Sequence, residues 1–516
     1  MEERERHASD HVAGEHRGAV RSRSYLFALA AALALVVARA FVWVYYPHTD
    51  FDSDQAIVGL MAKHLAEGRA FPLFFYGQPY LLGVEAWIAA PVFLVTGATP
   101  VALKGTVLAL NLVVAWLLLR ELVRSTGLGA WTALACSVFV LLPPPITAAF
   151  LVRAVGMNIE PFLAVLLLWM TRRRPVLFGV VLALGVLNRE FTIYGLTALI
   201  AVEILDRSLF TRPALAARGL SLLVFAAAWD LIRVLTPYSS THGPGTPPGI
   251  LATGAGSLAT VSSFANFSMD RLWSDVRRLL SGPLPDLLNM RTLDVSIAAG
   301  PIASPQGAAW LGPVLLVALG VPLAAAVARA ATRATRRSPG SIAFPLFLTL
   351  VGAQSALVYA GARGEAMSIF TQRYMLLALL LPVGVAALVM RTVPSRVLKG
   401  LAAGGLLVWG AVALADTAGL ARRVVSSPPP DRRDALVQVL VRRGIRYGTA
   451  DYWDAYAVAF ASHEQVRLHS GIPRIREYER LVAAHDDEAV SLKRRACEGC
   501  EEVAGWWITE KGRPWQ

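Results

Sequence analysis

The stretch "HTDFDSDQAIVGLMAKHL", residues 48 to 65, sets Asp50, Asp52 and Asp54 at alternate positions directly after a long apolar run. Carboxylates grouped in this way can do three kinds of chemistry. They can hold a divalent cation, take a proton from an attacking hydroxyl, or accept the free amide hydrogens at a helix start. A calcium loop is excluded, because its sixth and twelfth positions need Gly and Glu where this sequence has Gln55 and Met61. The residues that follow, "QAIVGLMAKHLAEG", carry apolar side chains at helical spacing with Lys63, His64 and Glu67 elsewhere, which predicts a short amphipathic helix lying on a membrane. Asp52 or Asp54 is placed to cap that helix. One cap accounts for one aspartate and leaves two.

A second charged group is Asn188, Arg189 and Glu190 in "VLNREFT", between two short apolar runs. Charge at membrane depth costs about 2.5 to 3.5 kcal/mol per group on insertion scales, so these residues either face a cavity and one another or form a plain solvated turn.

The elements that position these groups are those of a membrane. Of 516 residues 55% are hydrophobic and only 16% charged, and several runs are long enough to cross a hydrocarbon core as helix. The formal charge of +13 does not indicate nucleic acid, because the arginines fall in short clusters between apolar runs, as cytoplasmic loops require. Apolar segments lie near 25–46, 81–97, 101–119, 129–149, 158–171, 176–187, 191–205, 219–236, 308–328, 341–360, 374–390 and 398–417. With the basic N-terminus inside, the clusters at Arg120 and Arg124, Arg172 to Arg174, Arg207 to Arg218, Arg329 to Arg337 and Arg391 to Lys399 all stay inside only if 81–97 does not cross. That segment is therefore expected to be interfacial or re-entrant. The expected fold is an all-α polytopic membrane domain of about eleven transmembrane helices followed by a small C-terminal α/β extracytoplasmic domain.

The expected organisation is a cytoplasmic tail over 1–24 and a membrane domain over 25–420. The latter has a first outer loop at 47–100 and a large outer loop at 237–307, rich in Gly, Pro, Ser and Thr, with one helical stretch, "MDRLWSDVRRLL". From 421 to 516 the hydropathy is that of a soluble unit, with a proline run at 428 to 430 as the boundary. Its pattern predicts helices over 431–443, "YWDAYAVAFAS" and "IREYERLVAAH", and strands at "RYGTAD" and "QVRLHS". About 90 residues is near the lower limit for independent folding, so this unit is expected to pack on the membrane domain. Tyr452, Trp453 and Tyr456 either line a sugar site or serve as docking residues. Cys497 and Cys500 are spaced for a local disulfide, and three cysteines provide no zinc site.

The order of these features resembles a known family. A first outer loop opening on paired aspartates, a helix ending "LAEGR" and then "FPLFFYGQPYLLGVEAW" is similar to the C-type fold of integral membrane glycosyltransferases, in particular bacterial relatives of protein O-mannosyltransferases and lipid A aminoarabinose transferases. The resemblance implies a bacterial inner-membrane enzyme with its N-terminus in the cytoplasm. It implies a polyprenyl-phosphate sugar donor at the outer leaflet, the lipid bilayer around it, an extracytoplasmic acceptor, and inversion at the anomeric carbon.

Carried over by position, Asp54 matches the catalytic aspartate, with Asp52 the nearer alternative. Glu160 matches a second acidic position, Arg189 a basic residue for the lipid phosphate, and Arg373 with Tyr374 a late Arg-Tyr element. The resemblance requires no cofactor and admits a divalent cation, Mg or Mn, between Asp54 and Glu160. Gln55 departs from it, since relatives often have Glu there. Asp50, Tyr80, Glu85, Arg153 and His48 share the outer side by topology and either line the cavity or act structurally.

Two other classes compete with a transferase. A transporter or lipid flippase also holds charge in short, broken helices, although the halves of this chain show no repeat. A non-catalytic assembly factor would use the aspartates only to cap and solubilise a loop.

Overall fold

The computed structural model describes residues 22–244, 269–296, 303–332 and 340–510. The expected cytoplasmic tail and the middle of the large outer loop lie mostly outside the described residues.

The chain is a multi-span membrane protein. Among the described residues seven helices are long and apolar enough to cross: Arg23–Tyr45, Pro100–Thr126, Arg212–Tyr238, Leu311–Ala328, Ser341–Ala366, Gln372–Thr392 and Arg396–Ser426. Local chemistry sets their ends. Pro100 opens its helix at a position where a missing N–H costs nothing, Thr99 accepts the Ala102 amide, and Gly127 closes the helix at φ 69°. The other four crossings of the expected eleven fall on shorter pieces. The apolar runs at 158–171, 176–187 and 191–205 form Glu160–Thr171, Pro175–Asn188 and Ile193–Leu205.

The run at 129–149, read as one span, is broken into Ala130–Cys136, Val138–Leu141 and Pro145–Val152. Three consecutive prolines from Pro143 cannot donate to a helix and push their predecessors into extended backbone. Segment 81–97 forms the 13-residue helix Val84–Thr96, about 20 Å long at 1.5 Å per residue and too short for a core of about 30 Å. It follows a hairpin of strands β1 (Phe74–Phe75) and β2 (Gln78–Leu82). A second hairpin pairs β3 (Leu293–Ser296) with β4 (Ala303–Gln306).

Gln372–Thr392 is the most buried of the long helices, and Arg212–Tyr238 the least. Gly340–Arg363 and Leu380–Thr392 pack backbone to backbone, because a Cβ at Gly352 or Gly384 would collide with main-chain atoms of the other helix. This close pair carries Arg363 and Arg373 to the same end of the bundle.

The tail holds a five-stranded sheet in the order β6-β5-β7-β9-β8: β5 (Tyr447–Thr449), β6 (Arg467–His469), β7 (Val490–Lys493), β8 (Glu501–Val503) and β9 (Trp506–Glu510). β5 runs parallel to β6 and β7, and β9 antiparallel to β7 and β8. Helices Arg432–Arg442, Tyr452–Ala461 and Arg476–Ala484 complete it. A Cys497–Cys500 disulfide sits in the turn between β7 and β8.

The tail packs against the membrane domain through the helix that follows the aspartates, Ser53–Ala66. That helix was expected to rest on the membrane with a wet polar face. Instead Gln55, Ala56, Leu60, Met61 and His64 are all fully buried, because the tail covers the face that lipid headgroups were expected to meet. Ser53 Oγ accepts the amides of Tyr456 and Ala457, and Phe460 presses on Gly59, where a side chain would strike its ring. Glu464 accepts from Arg69 Nη1 at 2.8 Å and Tyr478 OH at 2.9 Å, and contacts Lys63 and His64 Nε2. These contacts hold His463 and Glu464 in the left-handed region, at φ 52° and 65°.

Candidate active site

The three aspartates take three different positions. Asp50 ends the 3-10 turn Pro47–Asp50 and is 7% exposed. Its carboxylate accepts Arg153 Nε at 3.0 Å on both oxygens, and Lys104 Nζ donates to its main-chain oxygen at 2.6 Å. Burial opposes ionisation of Asp50, but the Arg153 and Lys104 charges outweigh it and hold the carboxyl at about 2. Asp52, in extended backbone, is the helix cap: its side chain accepts the Gln55 amide at 3.1 Å, and Arg153 Nη1 lies 3.8 Å from its second oxygen. Gln55 donates to the Asp50 carbonyl and accepts the Ala154 amide. An ionised Glu there could accept but not donate.

Asp54 stands one turn-step further on and has neither task. Its carboxylate accepts one hydrogen bond among the described residues, from Tyr452 OH at 2.6 Å, and otherwise faces a cavity of about 350 Å³. Burial pushes the Asp54 carboxyl above the usual range; the Tyr452 hydrogen bond opposes this, the Asp52 charge adds to it, and Arg373 and Arg474 pull it back.

Across the same cavity stand Arg189, Arg373, Arg363, Tyr374 and Tyr80. Arg189 follows the last turn of Pro175–Asn188 in extended backbone, which turns its side chain off the helix. It donates to Met157 Sδ at 3.0 Å and lies 3.8 Å from Glu190. Arg373 donates to Tyr374 OH at 3.3 Å, and Arg363 stacks 4.2 Å over the Tyr374 ring. The Nε–H groups of Arg189 and Arg373 are buried without a protein acceptor. Leu81, Val155, Val358 and Ala362 add aliphatic surface to a wall that also includes Gln78 and Glu190.

Glu160 is not in this cavity. It is buried beside Glu85, and one oxygen of each carboxyl has no hydrogen-bond partner among the described residues. Glu85 also accepts the Gly156 amide, and Asn188 donates to the Gly156 carbonyl. The pair thus braces the loop between Arg153 and Glu160. The expected cation between Asp54 and Glu160 does not fit this arrangement, and the described residues hold no cluster of three or more His, Cys, Asp or Glu able to ligate a metal. Of the residues considered as cavity lining, Glu85 is turned to Glu160, while Asp50 and Arg153, paired with each other, line a second cavity beside this one. His48 lies 3.6 Å from Asp431 and faces the tail.

In overall structure the chain is similar to ArnT from Cupriavidus metallidurans, solved as a crystal structure in the apo state: 13% identity, 92% of this chain and 97% of that chain covered, TM-score 0.41. No protein-family model and no curated protein sequence matches the chain.

Two side chains at this site, Arg363 and Arg474, are not among the residues expected from sequence. Arg363 ends a long apolar helix on the side opposite the basic clusters, an exception to the inside arginines that is itself a signal. Arg474 comes from the tail: it donates to the Gly77 carbonyl at 3.0 Å and lies 5.7 Å from both the Phe75 and Tyr452 rings. Nothing in "SGIPRIREYE" marks it, since its role depends on how the tail docks. Tyr452, left open between docking and ligand contact, reaches Asp54 from the tail.

Proposed function

We propose that the chain is a membrane glycosyltransferase that moves a sugar from a polyprenyl-phosphate donor to a hydroxyl of an extracytoplasmic acceptor, with inversion. The observation that carries this reading is a carboxylate with one hydrogen bond, Asp54, facing two guanidinium groups whose buried Nε–H donors lack acceptors. Arginines placed to stabilise protein normally find carboxylates. Donors left over in a polar cavity suit a ligand's oxygens, and the planar guanidinium matches phosphate geometry.

In the reaction the acceptor oxygen attacks the anomeric carbon as the bond from that carbon to the phosphate oxygen breaks. Asp54 takes the hydroxyl proton, and the bonding pair leaves on the phosphate. Arg189 and Arg373 stabilise the charge that grows there, with Arg363 and Tyr374 behind them. The aliphatic wall of Leu81, Val358 and Ala362 suits the first isoprene units of the carrier. Tyr452 fixes the carboxylate, and Asp54 works only when ionised, so the rate falls as pH drops through its raised pKa. No step runs through a metal ion.

The test is donor consumption by purified protein in detergent, across a panel of polyprenyl-phosphate sugars. Asp54→Asn should lower turnover about a thousandfold, within the range for a removed general base, and Arg189→Ala about a hundredfold. Unchanged turnover in Asp54→Asn would remove the assignment.

A further inference from the structure

A second cavity, of about 790 Å³, shares the wall of Arg363, Arg373 and Tyr374 with the first and lies between the outer loops and the tail. Its chemistry differs from that of its neighbour. Among the described residues its lining contains no Ala, Val, Leu, Ile or Met, whereas the first cavity has Leu81, Val155, Met157, Val358 and Ala362. The apolar part of this lining is instead ring surface, from Phe51, Phe370, Pro430, Trp453 and Trp506, and flat faces of this kind suit a sugar ring as the occupant.

The sign of its charge follows from the lining, which has six arginines and three aspartates. Asp50 and Asp52 are occupied with Arg153, and Asp431 lies by His48. Arg363, Arg373, Arg432 and Arg433 have no ion-pair partner among the described residues. Arg433 spends one donor on the Phe51 carbonyl at 2.7 Å and, like Arg373, keeps a buried Nε–H without an acceptor. Unpaired guanidinium groups in a pocket favour an anion, because carboxylate and phosphate oxygens supply what the protein does not. On the tail side of the same cavity stands Trp453, 52% exposed, in the first turn of Tyr452–Ala461. A half-exposed indole face suits the apolar face of a sugar ring, with the ring hydroxyls left to the arginines and water.

We propose that the second cavity binds an acidic saccharide carrying carboxylate or phosphate groups, its ring on Trp453 and its anionic group on Arg432 and Arg433. If the transferase reading holds, this saccharide is the acceptor, and its hydroxyl reaches Asp54 past the shared wall. The tail then helps choose the substrate, since it supplies Trp453, Arg432 and Arg433.

Binding can be measured without any donor, by titration calorimetry on the full chain in detergent. The probes are tetragalacturonate with its fully methyl-esterified form, and 6-phosphorylated mannotetraose with plain mannotetraose. At least one anionic probe should bind, its uncharged counterpart about tenfold more weakly or worse, and Arg432→Ala and Trp453→Ala should each weaken the anion about tenfold. Equal binding of charged and uncharged forms, no binding of either anion, or anion binding untouched by both substitutions would overturn the proposal. Failure of the two readings can be told apart. A chain that binds the anion but consumes no donor keeps the pocket and loses the transferase, while one that consumes donor and ignores both anions does the reverse.

Discussion

Asp50 and Asp54 lie four residues apart, and each meets arginine in a different way. Asp50 is buried against Arg153 with Lys104 behind it, so positive and negative charges are matched atom to atom. Asp54 is held across a cavity from Arg189 and Arg373, with tyrosine as its direct partner and guanidinium donors left over on the far wall. The first arrangement fixes a loop, and removing one partner strands the other's charge. The second keeps a carboxylate and a cationic site apart with a space between them, which is what the proposed displacement of phosphate from an anomeric carbon needs. The lesson is that an aspartate's role depends on whether its counter-charge has already been satisfied.

The comparison sets the expected ranking of variants. Asp54→Asn should cost about a thousandfold in turnover, equivalent to about 4 kcal/mol of barrier, with no loss of thermal stability. Asp50→Asn should do the opposite, lowering stability by about 3 kcal/mol as Arg153 loses its partner, which detergent melting curves of the two proteins would show side by side. Equal damage to both properties in both variants would erase the distinction.

Smaller effects refine it. Burial opposes the charge on Glu464, but His64 and Lys63 outweigh it and hold the carboxyl well below its usual range. A depressed carboxylate contributes stability that is fully present above its unfolded pKa of about 4.3 and drains away as pH falls further. Docking of the tail should therefore weaken below about pH 4, seen as faster proteolysis near the 428–430 prolines, and Glu464→Gln should show that weakness already at neutral pH. Tyr452→Phe removes a donor to the Asp54 carboxylate, so the acidic limb of the pH–rate profile should move upward. A profile that stays in place would mean Tyr452 only packs. Asp52→Ala should cost about 1 kcal/mol of stability, the usual value of a helix cap, with Asp54 still in place.

Much of the membrane domain was legible, because apolar length and arginine clusters are properties of single segments. The family resemblance, not the residue pattern alone, grouped Asp54, Arg189, Arg373 and Tyr374, which line one cavity. The break at Pro143 to Pro145 is a local feature that mean hydropathy averages away, because prolines in an apolar run barely lower it. What was not legible depends on tertiary proximity. The apolar spacing of Ser53–Ala66 correctly gave a helix, but periodicity cannot say whether lipid or protein covers its second face. Gly59, the gap into which Phe460 fits, looks like any helix glycine until the tail is in place. Glu160 was assigned to Asp54 by order along the chain, while its partner, Glu85, comes from a helix 75 positions earlier that sequence spacing does not connect with it.

The most direct test of the division of charge at this site is to measure, on one preparation of Asp54→Asn, both donor turnover and the affinity for polyprenyl phosphate, the leaving group. Asp54 faces the arginines proposed to bind phosphate and carries a like charge to the phosphate, so turnover should fall about a thousandfold while polyprenyl phosphate binds as tightly as in the native chain or more tightly. Loss of both would make Asp54 a binding residue, and survival of turnover would leave the cavity without its base.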